Sequence, residues 1–312
     1  TCALPIYVHK ISAGEEKNTN KQIIVSTWQS IYKLPRTWFD QFDAVIFDEC
    51  HQAKAESINM IGQKLTKAWF RIGTTGTLDQ AQAHRLSIEG ILGPAVQFIQ
   101  TKNLMSKGLL AKLGIDCILL KYTDQERQSL NKQRYPDELK WIVANAKRNE
   151  FIKNLAISTK GNTLVLFNYV ETHGKPLYDL IQADGSNRPI YFISGKTEAD
   201  TRERIRKVVD RESNAILVAS FGTTSTGINI VNIDNIIFAS PTKSIIRLLQ
   251  SIGRGLRVSA KKKTLKVFDI VDDVCYKSYK NHVYRHFEER LKIYKKEKFD
   301  YKVVSMDLPK DK

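Results

Sequence analysis

No apolar run in this chain approaches the ~18 to 20 residues needed to cross a bilayer, so no membrane span is expected. Cysteine is scarce: Cys2, Cys50, Cys117 and Cys275 lie far apart and form no CxxC pair. That argues against a disulfide framework and a structural zinc site and suits a reducing, cytoplasmic setting. There is no internal repeat and no low-complexity tract, which sets solenoids and disordered linkers aside. The string GxxxxGK[ST] occurs nowhere, so the chain has no phosphate-binding loop of that kind. It also lacks an initiator Met. Residues 1–6 (Thr-Cys-Ala-Leu-Pro-Ile) read as a cloning or assembly scar and are excluded from fold reasoning, with a natural protein expected to continue upstream. Acidic residues are in deficit too. Against 49 Lys+Arg there are 33 Asp+Glu, a formal charge of +16, which favours a polyanionic partner, most simply nucleic acid. Ribosomal and membrane-surface proteins share that surplus, so charge alone decides little.

What is present is an ordinary globular composition in 312 residues, enough for about two domains of the usual ~100 to 200 residues each. Short continuous apolar runs at 23–27, 44–48 and 70–73 suit strands buried on both faces of a parallel sheet, with a helix-length segment at 55–68 between the last two. After a basic, glycine-containing connector at 101–114, a second series of strands is expected at 115–120, 163–167, 190–193, 215–219, 235–239 and 264–270. Helices are expected at 172–183, 197–211 and 243–252. The alternation of β and α defines an α/β chain with parallel sheets. From about 274 the chain reads as helical and basic. The boundaries are therefore 1–100, 101–273 and a C-terminal helical basic extension at 274–312.

Four short strings carry chemistry. Asp48-Glu49-Cys50-His51 closes the strand at 44–48, putting two carboxylates at the carboxyl end of a parallel strand, where open α/β sheets bind ligands. One carboxylate suits Mg²⁺ beside a substrate phosphate and the other can orient or deprotonate an attacking water. Alone, the pair fits the start of a solvated loop equally well. Gly73-Thr74-Thr75-Gly76-Thr77 follows the next strand and supplies small hydroxyls, though a plain turn explains it as readily. The polar stretch 220–229, with Thr226, Gly227 and Asn229, is read as a loop offering N–H groups and hydroxyls to phosphate; many such loops are only connectors. Most specific is Gln250-Ser251-Ile252-Gly253-Arg254-Gly255-Leu256-Arg257, in which Gln250, Arg254 and Arg257 share a helical face. Planar guanidinium groups there can neutralise charge on a transferring phosphoryl, and a solvated basic helix end is the plainer reading.

In order, these strings resemble motifs II, III, V and VI of the superfamily 2 helicases, over residues 20–270 or so. Ser26-Thr27-Trp28-Gln29-Ser30, the stretch 35–42 and the tail 297–301 resemble more narrowly the recombination helicases of T-even phages. The resemblance implies two RecA-like domains with ATP between them, the first incomplete here. It implies Asp48 as the Mg²⁺ residue, Glu49 as the catalytic carboxylate, and His51, Thr75, Gly76 and Thr77 as couplers of hydrolysis to DNA movement. Arg254 and Arg257 would sense the γ-phosphate with Gln250 beside them. Thr226, Gly227 and Asn229 would serve nucleotide and nucleic acid, and Phe167 and Asn168 would match motif IV. ATP and Mg²⁺ are the implied cofactors, and branched or forked DNA and R-loops the implied substrates.

The absent phosphate loop departs from that pattern. The expectation is a truncated record of an active enzyme, with the chain as given hydrolysing ATP negligibly. A double-strand DNA translocase subunit of a restriction or remodelling system would share every motif. An RNA helicase is disfavoured by the phage-like flanks. A non-catalytic nucleic-acid-binding fragment should have lost Asp48, Glu49, Arg254 and Arg257, all of which remain. His282 and His286 share a zinc-pair spacing but have no further ligand, and read as surface histidines. Trp38, Trp69, Trp141 and Tyr191 could stack on bases, but most aromatics in α/β domains are core, so they are assigned no role, and the run 261–263 reads as a solvated turn.

Overall fold

Each β-branched run becomes a parallel strand. The computed structural model describes residues 7–12, 14–51, 55–76, 82–96, 101–226, 232–242, 253 and 264–309, and the chain divides into two units, Thr1–Gln97 and Phe98–Lys312.

In the first unit, β1 (Val8–Ile11) pairs parallel with β2 (Ile23–Ser26), and β3 (Ala44–Phe47) pairs parallel with β4 (Phe70–Gly73). Its described helices are Trp28–Ile31, Arg36–Phe39, Ala55–Lys64 and Gln82–Leu92. Phe39, Ile61, Leu65 and Ala68 form the core, with Trp28, Trp38, Val45 and Phe47 packed against them. The strands do not bury both faces as expected. Val45 and Phe47 point into that core, whereas Ile46 and Phe70 are each 67% exposed and Ile23, Val25 and Ile72 are also exposed. The alternation reflects that, among the described residues, the core packs against one face of these strands.

The second unit holds a seven-stranded sheet in the order β11-β5-β10-β9-β6-β8-β7, with every neighbouring pair parallel. Its strands are β5 (Lys112–Lys121), β6 (Thr163–Phe167), β7 (Ile190–Ile193), β8 (Ile216–Ser220), β9 (Asn235–Phe238), β10 (Thr264–Asp273) and β11 (Asp300–Asp307). The period of two sorts side chains onto opposite faces. Leu265, Val267 and Val271 of β10 face one core, with Val209 and Phe287 from the helices Ala199–Arg211 and His282–Lys296. Ile270 faces the other, with Ile152, Ala156, Leu177 and Ile181 from the helices Ala146–Ser158 and Lys175–Ala183. The result is three layers, helix on sheet on helix.

All six strands expected in this unit form. The seventh, β11, lies where a helical extension was expected, and joins β5 as an edge strand behind the helix His282–Lys296. The expected helix at 172–183 forms as Lys175–Ala183 after a π turn at Val170–Gly174, and that at 243–252 lies outside the described residues. At the amino ends of the strands, Arg188 donates from Nη1 to Ala156 O (2.8 Å) and Thr159 O (2.6 Å), and from Nη2 to Gly161 O (2.8 Å). It thereby satisfies carbonyls left open at the end of the helix Ala146–Ser158. The carboxyl ends are left for the motifs.

Candidate active site

In the first unit the loops after β3 and β4 are joined beyond the last strand residues. Thr74 N donates to Phe47 O at 2.9 Å and Cys50 N to Thr74 O at 3.1 Å. Asp48 Oδ1 accepts from Glu49 N and from Thr74 Oγ1, each at 2.9 Å. Glu49 sits at φ +48°, in the left-handed region that a non-glycine residue rarely adopts. His51 is buried, and its Nδ1 lies 2.6 Å from Thr75 Oγ1 and 3.3 Å from Glu49 Oε2. The close hydroxyl is the hydrogen bond, whichever ring nitrogen carries the proton, and the carboxylate is a near neighbour. Glu49 Oε2 is itself buried, facing His51, and has no hydrogen-bond partner among the described residues, while the side chain as a whole is 45% exposed. A carboxylate exposed to this extent is a candidate general base.

Packing fixes this turn from behind. Cys50 is buried among Trp28, Phe47, Ile88, Ile91 and Leu92, and burial pushes its thiol up, which makes it a packing residue. A Cβ on Gly73 would stand 2.5 Å from Leu92 Cδ1 and 3.3 Å from Cys50 Sγ, so β4 ends on a residue without a side chain. Gly76 is exposed, and Thr77 lies outside the described residues.

Mg²⁺ takes octahedral oxygen ligands and retains several waters, needing only one or two carboxylates from the protein. Asp48 fits: Oδ1 is anchored by two donors while the residue is exposed beside Glu49. Among the described residues no group of three or more His, Cys, Asp or Glu converges on a metal position.

In the second unit the stretch read as a loop after β8 begins as a helical turn, Phe221–Thr226. Ser220 and Thr223 are buried and bond each other at 3.0 Å through their hydroxyls, so they hold the turn. Gly227, Asn229, Gln250, Arg254 and Arg257 lie outside the described residues, as does the side chain of Thr226. Phe167 is fully buried and stacks on Phe192 at 5.5 Å, so it is a core residue and its ring is not offered at the surface. Asn168 turns inward too, its N–H donating to Ser240 Oγ at 3.0 Å and its Nδ2 to Pro241 O at 3.0 Å. Tyr169, at 44% exposure, is the outward-facing aromatic of this segment.

The buried ionic groups of this unit carry no local sequence signal. Arg148 and Asp272 are fully buried and bonded at 2.7 Å, with Tyr122 Oη donating to the same carboxylate at 2.7 Å. Arg290 and Asp269 form a bidentate pair at 2.9 Å, with Tyr294 Oη donating at 3.0 Å. His173 is buried with Nδ1 at 2.7 Å from Ser240 Oγ; burial first and the charge of Arg148 second pull its pKa down to about 3. Nothing in the local pattern marks a single Arg or Asp as buried, because the partners come from 124 and 21 residues away. His282 and His286 each set an edge against the ring of Tyr135, at 5.9 and 5.1 Å.

Two family models match the chain. The model for the res subunit of type III restriction enzymes matches residues 3–80, and that for the helicase conserved C-terminal domain matches residues 146–259. The chain carries superfamily 2 helicase domains, with neighbours in the RecA-like helicase fold. Among curated relatives it is similar to the ATP-dependent DNA helicase uvsW of Enterobacteria phage T4, 32% identical over 96% of this chain and 63% of the relative. The crystal structure of T4 UvsW superposes with a TM-score of 0.56 at 30% identity, covering 97% of this chain and 62% of that one. A fragment of the HsdR subunit of a type I restriction enzyme from Vibrio vulnificus shares the fold at a TM-score of 0.66 and 18% identity, over 96% of this chain and 55% of its own. S. cerevisiae Dbp5 bound to RNA and ADP BeF3 does so at 0.59 and 16%, over 97% and 70%. The chain thus spans less than two thirds of the T4 relative.

Proposed function

We propose that this chain is the larger part of an ATP-dependent DNA helicase or translocase that remodels branched DNA and R-loops in phage recombination and replication. The observation that carries the reading is the 2.6 Å contact between His51 and Thr75, which ties the loop bearing the acidic pair to the loop after β4. In this reading Asp48 holds Mg²⁺, and the bound ion supplies charge neutralisation on the phosphates. Glu49 takes the proton of the attacking water. His51, Thr75, Gly76 and Thr77 link a change at the acidic pair to the neighbouring strand, so hydrolysis is felt outside the nucleotide site. Gln250, Arg254 and Arg257 are assigned the sensing of the γ-phosphate, and Thr226, Gly227 and Asn229 are assigned to nucleotide and DNA. Asn168 acts as a brace within its own unit. The 32% identity to a DNA helicase of phage T4 supports DNA as the polymer moved. The 312-residue chain, without GxxxxGK[ST], hydrolyses ATP negligibly by itself.

The substrate is tested with a protein extended upstream through a phosphate-loop segment. Its ATPase is measured with four-way junctions, R-loops, linear duplex and single-stranded RNA at equal nucleotide concentration. Stimulation by junctions and R-loops at least ~10-fold above linear duplex is the expected result. Equal stimulation by linear duplex points to a translocase, and stimulation by RNA alone overturns DNA as the substrate.

A further inference from the structure

Strand β10 carries two buried aspartates three residues apart, which places them on opposite faces of the sheet. Each is the centre of an Asp–Arg–Tyr triad: Asp272 with Arg148 and Tyr122 on one face, Asp269 with Arg290 and Tyr294 on the other. Both arginines keep a donor for the same short segment. Arg148 Nη2 donates to Ala239 O at 2.7 Å, and Arg290 Nη1 donates to Thr242 O at 3.2 Å. Between those carbonyls, Ser240 Oγ meets His173 and Asn168 N, and Pro241 O meets Asn168 Nδ2. Residues 239–242 are thus held from both faces of the sheet. In the sequence they lead directly into the segment containing Gln250, Arg254 and Arg257.

Buried ion pairs are a poor source of stability, because desolvating both charges offsets most of their attraction. Two of them converging on four consecutive residues ask for a role in geometry. We infer that the two triads are a positioning clamp that fixes residues 239–242 and so sets where the arginine segment that follows can reach. Arg148, Arg290, Asp269 and Asp272 are then positioning residues that never touch nucleotide. The inference rests on the helicase reading for its consequence, but the clamp itself can be tested without it.

Lysine keeps the charge beside each aspartate but lacks the planar fork that joins carboxylate and carbonyl at once. Arg148→Lys and Arg290→Lys are therefore the informative variants of the 312-residue chain. The amides of Ala239 and Ser240 donate to Leu166 O at 2.9 and 3.2 Å and serve as reporters of the clamp by hydrogen exchange. Both should exchange at least ~10-fold faster in each variant, while amides of β5 and β8 keep their wild-type rates. Wild-type exchange at Ala239 and Ser240 in a folded variant overturns the clamp. So does equal acceleration across the whole sheet, which would make the triads simple core supports. If a lysine variant does not fold, Tyr122→Phe and Tyr294→Phe each remove one hydroxyl from the same carboxylates and carry the same measurement with the same two readings. In the upstream-extended protein, Arg148→Lys should lower kcat for ATP about 10-fold with KM within about 2-fold, as expected when a reacting group is misplaced but binding is kept. Unchanged kcat with accelerated exchange overturns the link to the arginine segment. A wild-type extended protein with no ATPase refutes the helicase reading and leaves the exchange result standing.

Discussion

Thr75 and His173 are small-scale tests of the two units. Thr75→Val preserves shape and removes the hydroxyl that stands 2.6 Å from His51 Nδ1. Losing that bond is worth roughly 1–2 kcal/mol, or about 10-fold. If it couples hydrolysis to movement, the extended protein should unwind about 10-fold less DNA per ATP hydrolysed; an unchanged ratio makes the contact merely structural. His173, held down to about 3 from an ordinary 6.5 by burial and by Arg148, bears on stability. Between those two values the unfolded chain binds a proton that the folded chain refuses, so stability falls as pH drops. Its contribution is complete above pH ~6.5 and is lost towards ~3, with a slope of up to about 1.4 kcal/mol per pH unit. Urea unfolding followed from pH 7 to 4 should show a shallower fall in His173→Asn; identical slopes would contradict it. The acidic pair and its neighbouring threonines were legible because the string is local. The partners of His173, Arg148 and Arg290 were not, because burial of a polar residue is decided by what folds over it.

The helix His282–Lys296 shows what an element needs beyond its own pattern. Its start has no side-chain cap from Asn281. Instead the buried Glu138, from the helix Tyr135–Ala144, accepts from His282 N at 3.0 Å, Val283 N at 2.9 Å and Asn281 Nδ2 at 2.8 Å. A carboxylate there meets both the open N–H groups and the positive end of the helix dipole. Glu138→Ala should lower unfolding free energy by about 3 kcal/mol, since two buried donors and one partly buried donor lose their acceptor. Glu138→Gln, which keeps one oxygen, should cost less. Equal urea midpoints for wild type and Glu138→Ala would refute the cap. The helix itself was readable from its spaced aromatics, but β11 was not. Only Tyr301 among its residues is partly buried, so no alternation of apolar and polar positions marks it as a strand. The strands of the first unit differ the other way: their unbroken apolar runs fit a sheet covered on both faces, whereas among the described residues the core packs against one face.

For the molecule as a whole, charge was the first clue, and it makes a claim about conditions. With a net +16, binding to DNA should release counterions and weaken steeply with salt, by at least ~10-fold between about 50 and 200 mM. Fluorescence anisotropy with a labelled junction would show it, and salt-independent affinity would argue against a phosphate-tracking surface. Fold class and the order of motifs were open to reading because parallel strands, and the loops at their carboxyl ends, are built from contiguous residues. The two triads that brace residues 239–242 are not contiguous and needed the structure. The most direct measurement is DNA-stimulated ATP hydrolysis by the 312-residue chain and by the protein extended upstream through a phosphate loop, each with and without Glu49→Gln. Turnover in the extended wild type alone, at least ~100-fold above its Glu49→Gln variant, is the expected result. DNA binding by the extended protein without any ATP turnover would contradict the motor and leave a nucleic-acid-binding adaptor in its place.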